Sequence, residues 1–208
     1  MNRARIAGYL ASVGTLQFLI SMIISESLYP GYSVHSNYIS DLGVGSTAGV
    51  FNASIVAFGA LVLVAGALLL AELRMPFAVA MILAGIGAAG VGIFPEGSPH
   101  LLHTIFSLIT FLFGGLTAIF SYRVQPRGLA AISVALGAAS LVALVLYVDQ
   151  WYAGLGPGGM ERMIAYPILL WALVFGGYLI GFGRAQTLQR ARLRDAPDAA
   201  PPARPARN

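Results

Sequence analysis

Two histidines and a handful of carboxylates are the side chains of this sequence best suited to binding a metal, moving a proton or holding a polar ligand. His100 and His103 stand three apart, just after Ser98-Pro99, a good N-cap and first-turn pair. A helix begun at Ser98 would turn both imidazoles to one side of its first turn. With Asp41 as a third ligand, the set could hold zinc and leave one position for water, the arrangement of a catalytic zinc site. The same three residues, joined by Arg162, would equally make a hydrogen-bonding cage for a phosphate or hydroxyl headgroup.

Other polar residues cluster around these. The segment Tyr32 to Gly43 carries His35, Asn37, Ser40 and Asp41. A short helix ending at Gly43 would put Asn37 and Asp41 on one face. Glu96 lies between Pro95 and Pro99, ahead of the histidine pair. Glu161 and Arg162 follow a Gly-rich turn, and Tyr166 stands one helical turn further on. An arginine at the start of a membrane helix is disfavoured twice, by the helix dipole and by its side of the membrane. It therefore needs an acidic partner, and Asp41 or Glu96 is expected, ahead of Asp149 or Glu161. Asn52 and Gln17 are further polar groups inside apolar runs.

These residues must be positioned by membrane helices. Apolar residues make up 58% of the chain and charged ones 10%, too little charge to cover a water-soluble globule. Six apolar runs of about twenty residues each are long enough to cross a bilayer: Ile6–Ser25, Val50–Leu70, Phe77–Phe94, Leu101–Tyr122, Leu129–Val148 and Met163–Phe182. The fold class is therefore all-α, a polytopic bundle of six transmembrane helices over residues 1–183. The Arg-, Ala- and Pro-rich tail, 184–208, has no apolar face and is expected to be disordered. The first run resembles a signal peptide but is longer than a usual h-region, so it reads as an uncleaved anchor. Stripes of small residues, Ala80, Ala84, Ala88 and Gly92, then Ala131, Ala135, Ala139 and Ala143, then Gly177 and Gly181, read as helix-packing faces. In the fourth run His103, Ser107, Thr110, Gly114, Thr117 and Ser121 make a polar and small stripe that belongs inside the bundle.

Orientation follows from the basic residues, all twelve of which are arginine. With both termini in the cytoplasm, Arg3, Arg5, Arg74, Arg123, Arg127 and six tail arginines lie inside and only Arg162 outside, an eleven-to-one split. The positive-inside rule makes this a plasma-membrane topology signal and leaves the net charge of +4 without any nucleic-acid meaning. All three histidines then fall on the external side. The absence of Cys excludes disulfides, thiolate metal sites and cysteine nucleophiles. No phosphate loop, nucleophile elbow or His-Glu-x-x-His helix is present.

Taken together, Ser36-Asn37-Tyr38-Ile39-Ser40-Asp41-Leu42-Gly43, Phe51-Asn52-Ala53-Ser54, Gly92-Ile93-Phe94-Pro95-Glu96 with His100 and His103, and Gly159-Met160-Glu161-Arg162 through Tyr166-Pro167 and Trp171 resemble a prokaryotic family. It is the six-span membrane group known as domain of unknown function 998. The resemblance implies the six-span architecture over nearly all of the chain outside the tail, and supplies no reaction.

Three functions are compatible with these residues. The first is a plasma-membrane protein whose external pocket of His35, Asn37, Ser40, Asp41, Asn52, Glu96, His100, His103, Glu161, Arg162 and Tyr166 binds a lipid headgroup, ion or partner. The second is an enzyme acting on an outer-leaflet lipid, with Asp41, His100 and His103 as metal ligands or acid and base. The third is a small transporter, against which stands the lack of ionisable groups near the bilayer midplane. Membrane lipids are the expected partners. The arginine split generates a direct test. Single cysteines at Ser33 and Ser98 are expected to react with a membrane-impermeant maleimide in sealed cells, and one at Arg127 is not. Labelling at Arg127 in sealed cells would invert the orientation.

Overall fold

The computed structural model describes the backbone of residues 2–73 and 76–195 and the side chains of residues 2–72 and 76–181. Six long helices form: α1 (Arg3–Leu28), α2 (Ala48–Leu73), α3 (Pro76–Ile93), α4 (Leu102–Phe120), α5 (Arg127–Val148) and α6 (Gly156–Asp195). Each contains a stretch long and apolar enough to cross a membrane. The described residues contain no strand. Successive helices run antiparallel and pack side by side, and α1 packs in turn against α6, closing a ring of six. Across the ring α4 and α6 touch only lightly.

The ring closes through small residues. A Cβ on Gly85 would meet the backbone nitrogen of Leu63 at 2.6 Å and the Gly59 carbonyl at 2.7 Å, so only glycine allows α2 and α3 to cross this closely. The stripe Ala80, Ala84, Ala88 and Gly92 is buried on α3 as expected. The α5 stripe is buried only at Ala143. Ala131, Ala135 and Ala139 are exposed, and α5 turns Ser133, Gly137 and Ser140 inward instead. Gly177 and Gly181 likewise have nothing within reach of an added Cβ. Small residues permit close packing, but they do not say which way a helix turns.

The ring's interior is aromatic. Phe18 stacks on Phe58 at 5.3 Å and meets Phe51 at 5.8 Å, while Trp171 stacks on Phe175 at 5.0 Å. Polar groups inside are paired locally. Thr110 and Thr117 donate to carbonyls one turn back, Trp171 Nε1 donates to Ser121 Oγ, and Ser140 donates to the Ile164 carbonyl beside the Pro167 interruption of α6. The α4 stripe from Thr110 to Ser121 thus faces inward, as its composition suggests.

The largest departure from the expected spans is α6. It begins at Gly156, seven residues before Met163. Gly-Pro-Gly-Gly reads as a turn, yet of its four residues only Gly156 has positive φ, 74°. Pro157 then falls at the first helical position, where its missing N–H costs nothing. Glu161 and Arg162 therefore lie inside the helix and not ahead of it. At the other end α6 continues through Asp195, so the first part of the tail expected to be disordered is helical; residues 196–208 lie outside the described residues. The 29–47, 94–101 and 149–155 connections gather at one end of the ring, the loop end. Asn2 and the 121–126 connection lie at the opposite end, where the Ala4 N–H donates to Glu72 Oε2 at 3.2 Å.

Candidate functional site

The long first connection is built around Arg162. Its side chain is 5% exposed, and every contact it makes is to another segment or to its own helix turn. Nη2 donates to Glu26 Oε1 at 2.5 Å and to the Tyr32 hydroxyl at 2.6 Å. Nη1 donates to the carbonyls of Val34, Asn37 and Gly158 at 3.3, 3.2 and 2.9 Å. The guanidinium also lies 5.5 Å from the centre of the Tyr32 ring. The Tyr32 hydroxyl donates in turn to the Tyr38 carbonyl at 2.8 Å. Burial pushes this phenol up to about 12, against the opposing pull of Arg162, so it stays a donor at any physiological pH. Tyr166 sits beside the same ion pair.

The expected partner of Arg162 was Asp41 or Glu96. It is Glu26, in the last turn of α1. The reason is the early start of α6. That start sinks Arg162 below the loop, to the level where α1 ends. The loop can lie across it only because Gly158 has no side chain. A Cβ there would collide with the Asn37 carbonyl, and the Gly158 N–H instead donates to the His35 carbonyl at 3.1 Å.

Asn37 and Asp41 do meet, but not as neighbours on a helix. Asn37 lies ahead of the short 3₁₀ turn Ser40–Gly43. Its Nδ2 donates to Asp41 Oδ2 at 2.9 Å and its Oδ1 accepts from the Ser33 N–H at 3.0 Å. Asp41 Oδ2 also accepts from the Tyr38 N–H at 3.0 Å. Asn52 ties α2 to the same turn, donating to the Gly43 carbonyl at 2.8 Å. Both asparagines therefore hold the loop in place.

The histidine pair is not a pair. Ser98 spends its hydroxyl on the Pro95 carbonyl at 2.6 Å and does not cap α4. A 3₁₀ turn, Pro99–Leu101, follows, with His100 and Leu101 both left-handed, φ 58° and 56°. The helix proper starts at Leu102, so His100 is exposed ahead of it and shares no helical face with His103. His103 is half-buried. Its Nδ1 bonds the Phe94 carbonyl at 3.0 Å and its Nε2 lies 3.4 Å from Ser107 Oγ. With Nδ1–H donating to the carbonyl, Nε2 is the acceptor. Among the described residues no three His, Asp or Glu side chains lie together in a way that could hold a metal ion, so the zinc arrangement of Asp41, His100 and His103 is not formed.

What the loop end does form is a cavity of about 380 Å³ between α4, α5 and α6. Tyr38, Ser40 and Glu96 line it from the connections, His103, Thr104, Ser107, Leu108 and Phe111 from α4, Leu144, Tyr147 and Val148 from α5, and Glu161 from α6. Thr104, Leu108 and Val148 are also exposed on the outer surface of their helices. Part of the lining from α4 and α5 thus reaches the surface of the bundle. Glu161 is 6% exposed, and its Oε2 accepts from the Ile39 N–H at 2.5 Å. Behind it lies a second, apolar cavity of about 60 Å³ walled by Phe18, Phe51, Phe58 and Ile168, with Ser40, Ser107, Phe111 and Glu161 common to both. Partial desolvation at the cavity wall, and then the Asp41 carboxyl facing it, hold Glu96 above the usual carboxylate range. Burial raises the Tyr38 phenol as well, opposed by its contact with Tyr147.

The site residues read from the sequence therefore divide. Ser40, Glu96, His103 and Glu161 share the cavity, and Asp41 abuts it through Glu96. Asn37, Asn52, Arg162 and Tyr166 belong to the framework beneath and beside it. His35 and His100 are exposed and line neither cavity.

A family model described as "Protein of unknown function (DUF998)" matches residues 12–178, which span both the Arg162 framework and the cavity. The chain belongs to the DUF998 family. Searches of the curated proteins and of the solved structures found no match. Family membership supplies no chemistry, so function rests on the site.

Sequence reading missed Glu26 and Tyr32, the two side chains that hold Arg162, and Tyr147, which walls the cavity. Glu26 carried a signal: an acidic residue one α1 turn beyond buried Met22, at the end where Arg162 lacked a partner. Removing one member of a buried, hydrogen-bonded ion pair costs about 3–5 kcal/mol. Arg162→Met should lower thermal stability in detergent by an amount of that order, and Glu26→Gln in the same chain should recover part of it. Asp41→Asn combined with Arg162→Met should show plain additivity instead. Equal additivity for Glu26 would remove the pair.

Proposed function

We propose that this DUF998 protein is a plasma-membrane protein, with both termini in the cytoplasm, that binds the polar head of an amphiphile at its external face. The observation that carries this reading is the exposure of Thr104, Leu108 and Val148 where they line the loop-end cavity, which we read as a side opening between α4 and α5. A site for a water-soluble ligand needs access only from the loops. One open along a membrane helix, with polar groups inside and exposed Leu108 and Val148 at its edge, suits a molecule whose head is polar and whose chain stays in lipid. The arginine distribution supports placing the loop end outside, at the depth of the outer leaflet's headgroups.

The enzyme reading keeps one specific support. His103 is oriented by the Phe94 carbonyl with Nε2 toward Ser107 Oγ, the relation of a base to a hydroxyl nucleophile. At 3.4 Å the contact is long, and activity requires a substrate that tightens it.

Native mass spectrometry of protein purified in a mild non-ionic detergent tests the binding role. Wild type should retain an amphiphile, and Leu108→Trp, which fills the side opening, should lose most of it while keeping its thermal stability. A lipid-free wild type, or retention unchanged in Leu108→Trp, would contradict the site. Lipid turnover by wild type that stops in Ser107→Ala, with binding kept, would decide for the enzyme.

A further inference from the structure

We infer that the loop-end cavity selects a positively charged alkylammonium head over phosphate and neutral heads, an inference that rests on the amphiphile-binding reading above. Two independent features of the cavity point to it.

The first is charge. Glu96 lines the cavity with Asp41 directly behind it, and Glu161 adds a buried carboxyl. The nearest cation, Arg162, has both terminal nitrogens committed to Glu26, Tyr32 and three backbone carbonyls, and its one unpaired donor, Nε, is buried. The other described arginine side chains, Arg3, Arg5, Arg123 and Arg127, stand at the opposite end of the bundle. The start of α6 offers no free amide to a phosphate at Gly158, whose N–H is taken by the His35 carbonyl. An anion entering here would meet carboxyls with no compensating charge, and an ammonium would meet the counter-charge it needs.

The second is aromatic. Tyr38 and Tyr147 line the cavity with ring centres 6.0 Å apart and planes at 69°, and Tyr152 stands 6.1 Å beyond Tyr147. Two rings packed edge to face beside carboxyls offer aromatic surface to a quaternary ammonium, the same physics as a methylammonium cage. The rings exclude water from the methyl groups, and the carboxyls supply charge from the far side. Neither feature alone would name the ligand. Together they favour a cation with an apolar shell, and the side opening supplies room for its chain.

The test uses the full chain in dodecyl maltoside, with thermal unfolding read as a probe is added at low mole fraction. The probes are dodecyltrimethylammonium, dodecyl phosphate, dodecyl glucoside and tetramethylammonium. Dodecyltrimethylammonium should stabilise at concentrations roughly tenfold below those of the glucoside, and the phosphate should give no shift. The preference should be lost in Tyr147→Leu and reduced in Glu96→Gln, an exposed position where folding is not at risk. Tyr147→Phe should keep it, because the ring remains. If all three dodecyl probes act alike, the amphiphile site stands and charge selection is wrong. If tetramethylammonium acts as well as its dodecyl analogue, the cavity is a small-cation site and the amphiphile reading fails. No response to any probe would overturn both.

Discussion

A guanidinium sealed inside a membrane bundle sets the terms for the rest of this protein. A buried charge costs several kcal/mol unless it is paired and hydrogen-bonded, and Arg162 meets that demand at both terminal nitrogens by gathering three segments. Glu26 brings the end of α1, Tyr32 and the Val34 and Asn37 carbonyls bring the first connection, and Gly158 is one turn back on α6. Because α1 and α6 are also the pair that closes the ring, the ion pair locks the ring at its loop end. Gly158 matters for the same reason. Its bare backbone lets the connection descend far enough for two of its carbonyls to reach the guanidinium.

Fixing the first connection fixes the cavity. Once Tyr32 and Asn37 are held, the next residues have little choice. Tyr38 turns its N–H to Asp41, Ile39 turns its own to Glu161, and Ser40 starts the turn that Asn52 fastens to α2. Tyr38 and Ser40 thereby become a wall of the space between α4, α5 and α6. The space exists because α4 leans on α3 and α5 and barely touches α6. Its chemistry follows from the same economy of charge: the framework consumes the one nearby cation, and the cavity is left with carboxyls, hydroxyls, an imidazole and tyrosine rings.

The helices were legible in the sequence because their signal is long and needs no partner. Twenty apolar residues report a span whatever they pack against, and five of the six spans fall within a few residues of their expected bounds. The start of α6 was not legible, since Gly-Pro-Gly-Gly reads as a turn until a loop is known to lie on Gly158. The need of Arg162 for an acid was readable from one residue, yet the choice of Glu26 depended on where α6 begins and so failed with it. Helical phase misled at His100 and His103, because two left-handed residues break the helix that the spacing assumes. The membership of Ser40, Glu96, His103 and Glu161 in one cavity was partly visible, as all four lie in segments predicted on the same side. Tyr147 was invisible among apolar neighbours, where an aromatic ring is ordinary.

The central claim is that Arg162 holds the first connection in the conformation that forms the cavity. Amide hydrogen exchange measured on wild type and Arg162→Met in detergent addresses it most directly. If the claim is right, Tyr38 and Ile39, whose N–H groups bond Asp41 and Glu161, lose protection by orders of magnitude in the variant, while the amides of α2 and α3 keep theirs. Unchanged protection at Tyr38 and Ile39 would mean that the connection holds itself in place without Arg162, and the account would fail.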